Sequence, residues 1–255
     1  MKYSIFILSH QDDEFGVFEI IRKAILKKEK VIIFYMTNGI INKSIPKFKF
    51  YNRDLESLDV LKEIGVKENN IIFFGRLNNI PTCCLYKKLK HAYLNLNKYL
   101  KKYKGKIKIY THAWEGGNED HDACYILVKK IIKNSKKINV AYQFPLYNAN
   151  TNLFYYSVQR IIEDNGKAIR IKVNLLDRLK YIKFLFYYKS QIRVWMGLYP
   201  FLIFNFLTRN YCILQKIDEK KSIKKPHKGT LLYEKFRDSK YKDLKKNFLF
   251  FLKKT

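Results

Sequence analysis

The first 145 residues alternate short apolar runs with segments in which apolar residues recur at helical spacing. The apolar runs favour buried strands at residues 3–9, 31–36, 71–74, 107–111 and 139–143. The helical spacing predicts helices near residues 15–28, 51–64, 85–103 and 121–134. This alternation is typical of an α/β fold, in which a mostly parallel sheet has helices on both faces.

The pattern changes after Pro145. The elements predicted beyond it are a β excursion over 151–173 around a turn at 163–167, a long helix from 175 to about 195, an aromatic segment over 196–211, a lysine-rich loop over 216–228 and an amphipathic helix over 238–253. We find no internal repeat and predict one domain over 1–255. Its core would be 1–145, and 146–255 would cover the rim of the sheet.

The charge of the chain is extreme, since 51 Lys and Arg against 22 Asp and Glu give +29. Such a charge favours an anionic partner, which could be nucleic acid, an acidic membrane surface or a phosphorylated substrate. Compositional drift is the alternative, because lysine is abundant together with Ile, Asn, Tyr and Phe and is spread along the whole chain. The spread favours drift, so nucleic acid is not an expected partner.

The four cysteines have no CxxC spacing, and we interpret them as reduced thiols of a cytoplasmic protein. The apolar stretch 194–207 is too short to span a bilayer and contains a proline. The aromatic residues of 181–211 favour core or homo-oligomer packing. Alternatively, with the lysines around them, they suit a face resting on anionic lipid, which would place the protein at the inner membrane face.

Histidine and aspartate cluster where two predicted strands end. His10-Gln11-Asp12-Asp13-Glu14 follows the first strand, and residues 111–122 follow the fourth. The carboxyl ends of parallel strands are where open α/β folds build their sites. Imidazole and carboxylate together suit zinc or a similar divalent ion. No glycine-rich phosphate motif follows any strand, so we expect no nucleotide cofactor.

Three ordered motifs resemble those of the LmbE-like, PIG-L-type N-acetylglucosaminyl deacetylases. They are His-x-Asp-Asp-Glu at 10–14, Arg-x-x-Glu at 53–56 and Glu-Gly-Gly-Asn-Glu-Asp-His-Asp-Ala at 115–123, and Thr-Asn-Gly at 37–39 also resembles a turn of that family. The resemblance covers residues 3–130. It implies a zinc-dependent amide hydrolase with a Rossmann-like three-layer α/β sandwich, acting on an acetamido sugar.

By position, the resemblance implies that His10, Asp13 and His121 bind the metal and that Asp12 is the general base. Three protein ligands leave a coordination position open, as catalytic zinc sites require. A neighbouring carboxylate that is not a ligand can take a proton from the attacking water. Zinc is the expected cofactor, although this ligand set also accepts iron, cobalt or manganese.

Asn118 departs from the family pattern, which has a histidine at this position. An asparagine amide can donate a hydrogen bond to the oxyanion, and we therefore count Asn118 as a catalytic candidate. It cannot supply the proton that the leaving amine needs. That proton would come from Asp12, from water or from His112.

Several residues are expected to assist the site. Arg53 and Asn38 are candidates for substrate binding, with an Arg53–Glu56 ion pair as the structural alternative for Arg53. Three residues are expected to orient the metal ligands or the loops around them: Glu14, Asp120 and His112. For Glu14 the alternative is a favourable charge at the start of a helix, and for His112 an ordinary buried histidine.

Three functions therefore compete. The first is a metal-dependent hydrolase that removes the acetyl group from an N-acetylated amino sugar, free, glycosidic or lipid-linked. The second is a family member that binds such a sugar but has lost turnover through Asn118. The third is a basic protein that binds a membrane surface or nucleic acid, which would need lysines and aromatic residues on one face.

Overall fold

The computed structural model describes residues 1–39, 48–151, 157–237 and 239–253. A seven-stranded sheet in the order β3-β2-β1-β4-β5-β9-β8 forms its centre. The strands of the chain are β1 (Lys2–Leu8), β2 (Lys30–Tyr35), β3 (Ile71–Ile72), β4 (Lys106–His112), β5 (Ile138–Phe144), β6 (Tyr147–Asn148), β7 (Ser157–Val158), β8 (Ala168–Lys172) and β9 (Tyr211–Lys216). The first five strands of the sheet are parallel, and β9 and β8 extend it antiparallel beside β5.

Helices lie on both faces of the sheet. They are α1 (Phe18–Leu26), α2 (Phe48–Ile64), α3 (Phe74–Leu77), α4 (Leu89–Lys101), α5 (Glu119–Asn134), α6 (Leu175–Leu185), α7 (Ile192–Trp195), α8 (Tyr199–Thr208), α9 (Leu232–Phe236) and α10 (Tyr241–Lys253). One apolar cluster joins the sheet to α4, α5 and α10, and a second joins it to α1 and α6. The predicted three-layer α/β sandwich is confirmed.

The strand order reverses between β1 and β4. β1 pairs with β2 on one side and with β4 on the other, both in parallel register. The connection from β1 runs to one side of the sheet and the connection from β4 to the other, which leaves a crevice at their carboxyl ends. The segments after Leu8 and after His112 therefore meet at one point of the sheet edge.

The predicted long helix from 175 to about 195 is wrong. Helix α6 ends at Leu185, a short 3-10 helix covers Lys189–Gln191, and α7 begins at Ile192. After the break, the Tyr188 hydroxyl donates to Glu14 and the Trp195 indole donates to Asp12, so this segment contacts the interior of the molecule. The aromatic segment predicted after it contains α8.

The remaining elements follow the sequence with local differences. The β excursion is realised as β7 and β8, although 152–156 lie outside the described residues. The last helix begins at Tyr241, and residue 238 is likewise outside them. The carboxyl-terminal region supplies two strands of the main sheet in addition to helices over its rim.

Candidate active site

Three predicted metal ligands lie together at the carboxyl edge of β1 and β4. One ligand atom from each of His10, Asp13 and His121 lies within 4.8 Å of the other two, and all three residues are buried. Asp13 lies between the rings, with Oδ1 3.2 Å from His121 Nε2 and Oδ2 3.4 Å from His10 Nδ1. The backbone brings them together because His10 follows β1 directly and His121 lies in the first turn of α5.

The chemistry of this cluster fits a divalent metal. The His121 ring is buried: Nε2 lies 3.2 Å from Asp13 Oδ1, and Nδ1 has no hydrogen-bond partner among the described residues. Burial would raise the pKa of Asp13, but the three neighbouring imidazoles hold it well below its usual range, so the carboxylate is ionised. A buried carboxylate between two imidazole rings is the kind of ligand set that a divalent cation binds in proteins.

Asp120 orients His10 from the side opposite Asp13. Its Oδ2 lies 3.2 Å from His10 Nε2, and the same carboxylate accepts backbone hydrogen bonds from Cys83 (2.5 Å) and Leu85 (3.0 Å). Burial lowers the pKa of His10, yet the carboxylates of Asp13 and Asp120 outweigh it and raise this pKa to about 9. A carboxylate behind a ligating histidine fixes the ring and increases its basicity.

His112 lies beside His121, and its Nε2 is 3.2 Å from Asp13 Oδ2. The two rings stack in parallel with centroids 4.0 Å apart, and His112 Nε2 accepts a hydrogen bond from the Ser9 amide at 2.9 Å. Burial lowers the pKa of His112 to about 4, so the ring is neutral near pH 7. It therefore supports the position of His121 and is a poor source of the leaving-group proton.

Asp12 is placed beside the cluster with both carboxylate oxygens engaged. Oδ1 accepts a hydrogen bond from Arg53 Nη2 at 2.9 Å, and Oδ2 accepts one from Trp195 Nε1 at 3.1 Å. Its backbone φ of 113° is in the left-handed region that residues with a side chain rarely adopt. Burial raises the pKa of Asp12 against the opposing charge of Arg53.

Arg53 contacts the candidate base and not the glutamate one turn along its helix. Besides Asp12, it donates to the carbonyl of Gln11 at 2.9 Å and to that of Gly39 at 3.4 Å. Glu56 instead accepts hydrogen bonds from Ser190. The structure thus gives Arg53 a clear role in orienting Asp12, and its binding of substrate stays a prediction.

Glu14 connects the base to the carboxyl-terminal region. It accepts hydrogen bonds from the Asp12 amide at 3.0 Å and from the Tyr188 hydroxyl at 2.8 Å. Burial raises its pKa to about 7.

Tyr188 and Trp195 were not among the residues predicted for the site. Both residues lie in the aromatic segment whose pattern favoured core or homo-oligomer packing, so the sequence did not distinguish them from core residues.

Asn118 caps helix α5. Its Oδ1 accepts the Asp120 amide at 2.8 Å, which leaves the side-chain NH2 as the group that can donate. The neighbouring Glu119 accepts hydrogen bonds from Arg237 and Ser239, which ties the start of α5 to the carboxyl-terminal region.

A second buried glutamate shapes the loop before α5. Glu115 accepts hydrogen bonds from the amides of Leu146 (2.8 Å) and Tyr147 (3.2 Å) and from the Asn148 side chain (3.1 Å). Gly117 allows this close approach, because a Cβ there would lie 2.0 Å from the Tyr147 carbonyl oxygen. The loop is thereby held against the segment after β5.

Asn38, the other candidate for substrate binding, lies after β2 at the same sheet edge. Its amide donates to the Ile80 carbonyl at 2.8 Å, and its side chain is partly exposed. The Thr37 hydroxyl next to it donates to the Ser9 carbonyl at 2.8 Å. The turn is thus joined to the loop that contains His10.

The fold and the site together define an α/β protein of the class that builds a buried His-Asp-His cluster where the strand order reverses. The family described as "PIG-L: GlcNAc-PI de-N-acetylase" matches residues 5–132, which is half of the chain. The chain belongs to this family of deacetylases. No curated protein matches it.

Solved structures share the fold at low sequence identity. The zinc-inhibited form of teicoplanin deacetylase is 12% identical, with a TM-score of 0.59, over 86% of this chain and 98% of that one. The N,N'-diacetylchitobiose deacetylase from Pyrococcus horikoshii is 18% identical, with a TM-score of 0.56, over 86% of this chain and 84% of that one. A 4-carboxy-2-hydroxymuconate hydratase from Pseudomonas putida is also similar, at 13% identity and a TM-score of 0.50 over 88% and 99%. The fold alone therefore does not determine the reaction.

Proposed function

We propose that this protein is a metal-dependent hydrolase that removes the acetyl group from an N-acetylated amino sugar. One observation supports the proposal most. Asp12 is adjacent to the His-Asp-His cluster but outside it, and Arg53 and Trp195 fix the orientation of its carboxylate. A metal site with a separate, oriented carboxylate provides a base without sacrificing a ligand.

His10, Asp13 and His121 would hold the metal, with zinc as the first candidate. A divalent ion there would polarise the acetamide carbonyl and lower the pKa of the attacking water. Asp12 takes a proton from that water, and its raised pKa makes it a stronger base than an ordinary aspartate. The side-chain NH2 of Asn118 is the candidate donor to the carbonyl oxygen as negative charge develops.

One residue of the site can donate the proton that the leaving amine needs. Water oxygen forms a bond to the acetyl carbon, the carbon–nitrogen bond breaks, and the amine nitrogen must gain a proton. Because burial lowers the pKa of His112 to about 4, this ring is neutral near pH 7, and we assign the transfer to Asp12, which returns the proton it received. The products are acetate and the free amino sugar.

Acetate release from a panel of N-acetylglucosamine compounds tests the proposal. The zinc-loaded protein should release acetate, and Asp12→Ala should lower the rate by roughly 100- to 10,000-fold, the usual contribution of a general base. Asp59→Ala, on the partly exposed side of α2, is the matched control and should leave the rate unchanged. Equal rates for Asp12→Ala and the unchanged protein would contradict the proposal.

Asn118 favours a second candidate, a protein that binds an acetamido sugar without hydrolysing it. The residue caps α5 but cannot act as a protonated acid. In that case the unchanged protein releases no acetate from any compound of the panel, whereas Asn118→His does. Binding of the same sugars, measured by calorimetry with the silent protein, would then identify the sugar that it recognises.

A further inference from the structure

Two neighbouring helices on one side of the molecule expose large apolar side chains. On α6 these are Leu175, Leu176, Leu179 and, just after its end, Phe186. The spacing of these positions places them on one stripe of the helix. Leu176 is 78% exposed, which is far more than burial in a core would leave.

Helix α8 continues the apolar surface. Phe204 is 64% exposed and Leu207 is 51% exposed, one turn apart. Arg178 of α6 donates to the carbonyls of Phe206 and Leu207, and Phe186 stacks on Tyr199, so the two helices lie side by side. We call the exposed set the α6–α8 face: Leu175, Leu176, Leu179, Phe186, Phe204 and Leu207.

The segment that carries this face is basic. Residues 172–209 contain seven Lys and Arg and a single acidic residue, Asp177. Asp177 forms a salt bridge with Arg22 at 2.9 Å. Glu63 of α2 lies 3.9 Å from Lys183. The segment therefore combines exposed apolar side chains with an excess of positive charge.

We propose that the α6–α8 face docks on an anionic membrane surface. Aliphatic and aromatic side chains enter the boundary between headgroups and acyl chains, while the lysines around them contact acidic headgroups. A second copy of the chain is a poorer occupant, because it would bring one positive face against another. Nucleic acid is also poorer, since a phosphate backbone leaves Leu176 and Leu207 without apolar partners. Among the described residues no helix is long and apolar enough to cross a bilayer.

Helix α7 lies between α6 and α8 in the chain and contacts the site through Trp195. Ile192 and Met196 are exposed, whereas Trp195 between them is buried and donates to Asp12. Docking therefore brings the bilayer close to the residue that orients the candidate base. This proposal concerns a binding surface and does not depend on the proposed reaction.

Cosedimentation with vesicles tests the docking. Phosphatidylcholine vesicles with and without about one-third phosphatidylglycerol are compared at low and high salt, because binding to anionic lipid weakens with ionic strength. The protein should bind the anionic vesicles and not the neutral ones. Leu176→Ser/Leu207→Ser should weaken binding by roughly tenfold or more, through loss of two buried aliphatic chains.

The matched control is Leu77→Ser/Leu94→Ser. These leucines are 66% and 53% exposed and lie on α3 and α4 at the other side of the sheet, so the same chemical change there should leave binding unaltered. Retained secondary structure by circular dichroism shows that both variants fold. Three results would overturn the proposal: no binding to anionic vesicles, equal loss in the two double variants, or a concentration-dependent dimer that only Leu176→Ser/Leu207→Ser disrupts.

Discussion

At the scale of single residues, the geometry of Asp12 is the feature with the most chemical content. A residue with positive φ is held in place because Arg53 and Trp195 bond to its two oxygens and its amide bonds to Glu14. Such strain persists only where surrounding contacts maintain it. The orientation of the candidate base thus depends on residues that are far from it in sequence.

Replacing Trp195 with phenylalanine tests this dependence. The ring still fills its site, but Asp12 loses one hydrogen bond to its charged form, typically worth about 1.5–3 kcal/mol. We expect kcat/KM to fall by roughly 10- to 100-fold and the acid limb of its pH profile to move to higher pH, because the ionised carboxylate is less stabilised. The control is Tyr199→Phe, which removes a hydroxyl that donates to the Leu185 carbonyl at 3.1 Å and should leave the profile unchanged.

Metal binding should release a proton from His10. With a pKa of about 9 in the metal-free protein, His10 is charged at neutral pH and must lose its proton to become a ligand. Affinity should therefore rise with pH up to about 9, and calorimetry in buffers of different ionisation enthalpy should detect about one proton released near pH 7. Asp120→Asn lowers that number, since it removes one of the carboxylates that raise the pKa. Binding without proton release in the unchanged protein would contradict the assignment.

At the scale of secondary-structure elements, the apolar pattern predicted the five parallel strands closely. The central strands β1 and β2 are buried except for their first residue, so their apolar runs are distinctive. The boundary between α6 and α7 was not predicted, because the apolar spacing over 175–195 favours one helix and the contacts of this segment with Glu14 and Asp12 are not visible in a local pattern. Tyr188 is 174 residues from Glu14 along the chain, and Trp195 is 183 residues from Asp12.

The loop between β4 and α5 should make stability depend on pH. Burial raises the pKa of Glu115 to about 8, so between its ordinary value of 4.5 and that pKa the folded chain binds a proton that the unfolded chain releases. The free energy of unfolding must then fall as pH rises through this window. The effect is clearest from about pH 6.5 to 8, above the range in which His112 titrates.

Denaturant unfolding of the metal-free protein at several pH values measures this slope. Glu115→Gln cannot ionise, so its slope should be smaller than that of the unchanged protein. Some slope should remain, because burial also raises the pKa of Asp122 to about 8. Glu68→Gln, an exposed control, should not alter it. If the free energy of unfolding of Glu115→Gln changed with pH as steeply as that of the unchanged protein, the proton would belong to another group.

At the scale of the whole molecule, the sequence predicted the site better than it predicted the surface. The two clusters of His and Asp were expected to meet, and they do, because each follows a parallel strand that ends at one edge of the sheet. The count of +29 did not reveal where charge and apolar groups coincide. This surface forms only because α6 lies beside α8, and that arrangement depends on contacts such as the hydrogen bond from Arg178 to the Leu207 carbonyl.

The order of the site residues along the chain has a consequence for biosynthesis. His10 and Asp13 leave the ribosome before His121, and Trp195 follows after α5 and α6. A nascent chain can therefore bring its candidate metal ligands together while Asp12 still lacks its indole partner. The ion would stabilise the first half of the sheet during translation, and the orientation of the base would be the last part of the site to form.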